Sequence, residues 1–125
     1  MPAPGIRLLI GSTVAIGPGK AALLSAIQET GSISAAARSM GMSYRRAWLL
    51  VDRMNADFVT PVVERTTGGR GGGGAALTPV GLEALTRYRE IEAKALASVA
   101  SELANFAPLL HPAALQTIDR DDEET

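Results

Sequence analysis

The chain has 125 residues, enough for one domain with a real hydrophobic core and no need of metal or disulfide staples. It contains no cysteine, which removes disulfides, thiol nucleophiles and cysteine-based zinc sites and fits a reducing, cytoplasmic location. The net charge of −1 hides an asymmetry: residues 1–76 hold eight Lys/Arg against four acids, and residues 77–125 hold four against nine, so the first part is expected to meet an anionic partner.

IRLLI (6–10) reads as one strand and GSTVAIGPGK as the loop after it. KAALLSAIQET then places Ala22, Leu23, Ala26 and Ile27 on one helical stripe, with Gly31 as C-cap. Ser34 is expected to N-cap a short alanine-rich helix, SAAARSM, which Gly41 ends. Ser43 caps a third helix running to about Phe58, short of Pro61. VVERTT (62–67) and AAL (75–77) read as two hairpin strands flanking GGRGGGG (68–74). Thr78 and Pro79 form an N-cap and a first helical position. The helix they open is expected to run to about Phe106, with Leu85, Tyr88, Ile91, Ala95, Val99, Leu103 and Phe106 making a continuous apolar stripe. Pro108 and Pro112 break it, and the acidic tail DRDDEET is expected to be disordered. No apolar run approaches the ~18 residues that span a bilayer, and the N-terminus lacks a secretory pattern, so no membrane partner is expected.

ISAAARSMGMSYRRAWLLVD (33–52) carries the pattern of a helix–turn–helix. Such a unit needs a small residue where the helices cross, a turn glycine that accepts positive φ, and apolar residues on the facing sides. Ala37 and Gly41 fill the first two roles, and Ala36, Met40, Met42, Ala47 and Leu50 the third. An αα-corner in an ordinary helical protein has some of the same features. On the third helix Ala47, Val51, Met54 and Phe58 share one face and should be core. The opposite face carries Arg45, Leu49 and Asp52, flanked by Arg46 and Arg53. The first turn, Ser43-Tyr44-Arg45-Arg46, is dense in donors where a recognition helix enters the major groove. Arg45 and Arg46 are therefore candidates for base or phosphate contact, and Ser43, Tyr44 and Arg38 for phosphate. Trp48, on the flank, is expected to pack against the hairpin or a partner subunit.

A helix–turn–helix followed at once by a hairpin is a winged helix. The fold class expected is mainly α with a small β wing, a winged helix–turn–helix followed by a long dimerisation helix. Its parts are a DNA-binding domain over 1–78 (wing 62–78), a linker helix over 79–107, and a tail over 108–125. Gly69 and Gly71 would let main-chain N–H groups approach phosphate, with Arg70 supplying charge. The stripe of about six turns, Leu85 through Phe106, is longer than so small a domain covers internally. A homodimer, paired through Leu85, Tyr88, Ile91, Ala95, Val99 and Leu103, on a palindromic operator is therefore expected.

At this point the sequence resembles the ModE family, molybdenum-responsive transcriptional regulators of bacteria. The matching words are ETGSISAAARSMGMSYRRAW (29–48), VVERTTGGRGGGG (62–74) and LTPVG (77–81). The resemblance implies a winged-helix dimer on double-stranded DNA, with contacts from Ser43, Tyr44, Arg45, Arg46 and Arg70. It also implies repression of molybdenum-related genes. Full-length members carry a C-terminal molybdate-binding module, whereas 31 residues follow Lys94. No cofactor or ligand site is therefore expected. Constitutive repression, sensing through a partner, and action beside a full-length relative all remain open.

An enzyme is not expected: HExxH, GxSxG and clustered histidines are absent, and His111 stands alone. The glycine run is not a phosphate-binding P-loop, because Ala75-Ala76-Leu77 follows it as strand. The competing reading is a winged-helix module that binds another protein, which a pI of 5.8 would allow. The arginines at the start of the third helix and at the wing tip favour DNA.

Overall fold

A computed structural model describes residues 8–10, 13–66 and 74–116. A short antiparallel pair, β1 (Leu8–Ile10) and β2 (Thr13–Ile16), leads into α1 (Pro18–Thr30). The stretch read as a loop after the first strand thus contains that strand's partner, because TVAI is β-competent and returns on IRLLI.

α1 starts with Pro18, whose fixed φ and missing N–H suit the first helical position. It ends at Gly31, whose N–H bonds to Ile27 O at 2.8 Å. α2 (Ile33–Ser39) is capped by Ser32, not Ser34: the Ser32 hydroxyl accepts the Ala35 N–H at 3.0 Å. Burial decides the choice. Ile33 must lie in the core and is 6% exposed, so the helix begins at Ile33 and the serine before it takes the cap. Gly41 makes the turn with φ +68, a conformation that costs an L side chain about 1–2 kcal/mol. α3 (Tyr44–Asp57) is capped by the Ser43 hydroxyl, which accepts the Arg46 N–H at 3.1 Å.

β3 (Val63–Thr66) and β4 (Gly74–Leu77) pair antiparallel, Val63 opposite Leu77 and Thr66 opposite Gly74. The chain then turns directly into α4 (Pro79–Ser98). Thr78 secures that junction twice: its hydroxyl accepts the Gly81 N–H at 3.0 Å and donates to Pro61 O at 2.6 Å. Gly81 is required by close approach, since a Cβ there would lie 2.1 Å from Val62 O.

The core joins Leu23, Leu24 and Ile27 of α1, Ile33, Ala36 and Ala37 of α2, and Ala47, Leu50, Val51 and Met54 of α3. Val62, Val63 and Ala75 roof it from the hairpin, and Leu85 and Tyr88 close it from α4. Met40, Met42, Trp48 and Phe58 pack half-buried around it.

The last helix departs from the expected single rod. Val99 adopts φ −119, ψ 18, and its N–H reaches back only to Leu96 O at 3.3 Å. α5 (Ala100–Phe106) follows the break, and 3₁₀ turns at Ala107–Leu109 and Pro112–Gln116 complete the described chain. Ser98, Val99 and Ser101 are poor helix residues, β-branched or able to bond their own backbone. The apolar stripe is also divided in its role. Leu85 and Tyr88 are 3% and 2% exposed inside the chain's own core, so they cannot line a dimer face. Ile91, Val99, Leu103 and Phe106 are exposed, and Ala95 is half-buried.

Candidate nucleic-acid interface

α2 and α3 meet at the Met40–Met42 turn, and their facing alanines decide how closely. Ala36, Ala37 and Ala47 are buried with almost no exposure, which lets α2 approach α3 and leaves the first turn of α3 standing outward. Met42 N–H bonds back to Ala37 O at 3.0 Å and locks the turn.

The outward turn gathers the expected donors. Ser43, Tyr44 and Arg45 are exposed, and Arg46 is half-buried. Arg38 lies exposed on α2, its guanidinium donating to Ser34 Oγ at 3.4 Å. Arg53 is exposed two turns farther along α3. Arg46 and Arg53 are both engaged within the chain. Two further properties suit an anion. The first turn of α3 holds no acidic residue, so nothing offsets the positive end of the helix dipole. The Ser43 hydroxyl spends an acceptor on the cap and keeps its proton for donation. Gly69, Arg70 and Gly71, expected at the wing tip, lie outside the described residues.

On the flank of α3 that faces the hairpin, Trp48 packs against the hairpin, one of the two places expected of it, and Arg65 and Asn55, for which the sequence suggested no role there, build the contact. Arg65 of β3 places its guanidinium 4.5 Å from the centre of the Trp48 ring. Tyr44 meets the same ring edge-on, with centroids 6.3 Å apart at 80°, and accepts the Trp48 Nε1 proton at its hydroxyl. Lower on the same flank, Asn55 Oδ1 accepts the N–H groups of Val62 at 2.8 Å and Val63 at 3.1 Å, and its Nδ2 donates to Val63 O at 3.2 Å. A signal for this was available: Trp48 and Asn55 are two helical turns apart, and Val63 and Arg65 follow the two-residue period of a strand.

On the other side, Ala75 N–H of β4 bonds to Gly31 O at 2.9 Å, and Arg89 of α4 donates to Ser25 of α1. Among the described residues no three His, Cys, Asp or Glu gather as a metal site would require. No described helix is long and apolar enough to cross a membrane.

Comparison with known proteins agrees with this geometry. The family described as "Bacterial regulatory helix-turn-helix protein, lysR family" matches residues 20–82. Molybdenum-pterin-binding protein MopB of Rhodobacter capsulatus is 47% identical over 96 residues, which are 77% of this chain and 34% of MopB. Transcriptional regulator ModE of Yersinia pestis is 48% identical over 71 residues, 57% of this chain and 27% of that regulator. The chain thus spans about a third or less of these relatives' length. Among solved structures, the CbnR DNA-binding domain in its DNA complex superposes with a TM-score of 0.53 at 24% identity, covering 72% of this chain and 95% of that one. At that identity the likeness concerns the fold: helix–turn–helix, two-stranded wing and following helix.

Proposed function

The chain belongs to the lysR family of bacterial regulatory helix-turn-helix proteins, and from that premise we propose that it is a sequence-specific transcriptional regulator of molybdenum-related genes. It is a helix-turn-helix DNA-binding domain related to the ModE regulators, a regulatory and not an enzymatic family. The observation that carries the proposal is the first turn of α3: capped, free of acids, and presenting Ser43, Tyr44 and Arg45 to solvent beside a wing.

In this reading Arg45 and Arg46 meet base edges or phosphate in the major groove. Ser43, Tyr44, Arg38 and Arg53 hold the backbone on either side, and Gly69, Arg70 and Gly71 bring the wing tip to the neighbouring groove. Two copies join through the exposed half of the stripe, Ile91, Ala95, Val99 and Leu103, and so face a palindromic operator. Residues 1–78 would read DNA and 79–107 would pair the copies, with Leu85 and Tyr88 assigned to the reading unit. The protein acts as a repressor. The molybdenum assignment draws on much longer relatives, a molybdenum-pterin-binding protein and the ModE transcriptional regulators.

The test begins with duplexes enriched from a random-sequence library by the full chain. Log K should fall linearly with log salt, by about 0.9 per phosphate contact. Arg45→Ala should weaken binding by about 1–3 kcal/mol if Arg45 reads a base. A binding constant indifferent to salt would point to a protein partner instead. Genome-wide DNA capture with and without molybdate then tests the targets and the effector together.

A further inference from the structure

Two contacts fasten the wing to α3, and they lie in line. Trp48 and Asn55, about two turns apart, share one face of the helix. Asn55 pins the base of β3 through three hydrogen bonds at Val62 and Val63. Two residues farther toward the tip, Arg65 rests its guanidinium on the Trp48 ring. Tyr44, the first residue of the helix, backs that ring edge-on and accepts its N–H. A line of contact thus runs from the donor-rich first turn of α3, through one indole, to the wing strand one residue short of its end at Thr66.

We propose that Trp48 and Arg65 are a positioning pair that sets the angle of the wing against the recognition helix, with Arg65 contributing to DNA binding through the indole. The proposal rests on the DNA-binding reading above. A two-stranded hairpin with strands of four residues is marginal by itself, so its direction depends on what it leans on. Asn55 fixes only the base of β3. Opposite Arg65, the Ala75 N–H ties β4 to Gly31 O at the end of α1, so at that level the Trp48 indole is what holds β3 to α3. A guanidinium over an indole face at an exposed site is worth a factor of about two to five in an equilibrium constant, enough to bias the upper strand between two directions. Arg65 suits the role because its planar cation stacks on a ring as a lysine ammonium does not.

The experiment compares full-chain wild type with Trp48→Leu, Arg65→Gln, the double variant, and Arg45→Ala, on duplexes enriched by the wild type from a random library. Each single change at the pair should weaken binding about two- to five-fold, and the double should be no weaker than either. Hydroxyl-radical footprints should lose the flanking protection given by the wing and keep the central one. The proposal is overturned if neither single change weakens binding or if their effects multiply. It is also overturned if Arg65→Gln lowers the salt slope by about one while Trp48→Leu leaves affinity unchanged, the mark of a direct phosphate contact. Should Trp48→Leu fail to fold, Trp48→Phe keeps an aromatic surface and takes its place.

If a duplex is enriched and Arg45→Ala binds it as wild type does, only the role of Arg45 fails. If no duplex is enriched, the underlying DNA reading is what fails. The pairing is then decided in the free protein. Trp48 is the single tryptophan, so its emission reports the pair directly. Arg65→Gln should raise acrylamide quenching of that emission and Arg65→Lys should raise it less. Unchanged quenching in Arg65→Gln would dispose of the pair.

Discussion

Replacing Asn55 by alanine should destabilise the domain out of proportion to the residue's half-buried place on the surface of α3. Its side chain satisfies the N–H groups of Val62 and Val63, at 2.8 and 3.1 Å, and donates to Val63 O. Val62 and Val63 are 0% and 4% exposed, so their N–H groups have little access to water. Each buried group stranded without a partner costs about 1–3 kcal/mol. Two such groups set the scale, and water entering the half-open site where Asn55 stood lowers it. Alanine also returns up to ~0.7 kcal/mol in helix propensity. The net expectation is a loss of about 2–3 kcal/mol, a large share of the 5–15 kcal/mol usual for a domain. Urea unfolding followed by Trp48 emission and far-UV circular dichroism measures it, and the melting temperature should fall by roughly 10–20 °C. A loss below about 0.5 kcal/mol, the range of ordinary surface changes, would mean that water replaces the amide and that Asn55 does not fasten the hairpin.

Gly81→Ala should cost about 1–3 kcal/mol or more, because the new Cβ would press within 2.1 Å of Val62 O and force backbone to move; thermal melts of the two proteins check it. Leu85→Ala should destabilise by about 2–5 kcal/mol as a core truncation, whereas Ile91→Ala should stay within about 0.5 kcal/mol in the unfolding of a dilute sample. Conversely, Ile91→Glu with Leu103→Glu should leave the fold intact by circular dichroism and give a monomer by light scattering, and a persistent dimer would place the interface elsewhere.

The helix–turn–helix could be read from sequence because its requirements are local. Small residues at Ala36, Ala37 and Ala47, positive φ at Gly41, and caps at Ser43 and Thr78 each leave a mark on one residue type at one position. Choices settled by distant packing could not be read that way. Ser32 and Ser34 are equally good caps, and only the burial of Ile33 selects between them. Periodicity made Leu85, Tyr88, Ile91 and Leu103 equivalent, but the hairpin and α1 reach only the first two. The site divides in the same manner. The donor cluster of residues 43–46 is contiguous, whereas Trp48 and Arg65 are 17 positions apart and meet only once β3 is laid along α3.

The two stems of the hairpin are held from below: Asn55 grips the start of β3, Ala75 is stitched to Gly31, and Thr78 ties the far end of β4 to Pro61. With Thr66 opposite Gly74, the rest of the domain already holds these two strand ends together. Lengthening a connection between ends held in this way costs little, about 0.6 kcal/mol for each doubling. The segment between positions 66 and 74 is therefore a natural graft site. A fluorophore-bearing peptide or a foreign recognition loop inserted there would inherit a fixed seat beside α3, and the domain beneath would keep its stability.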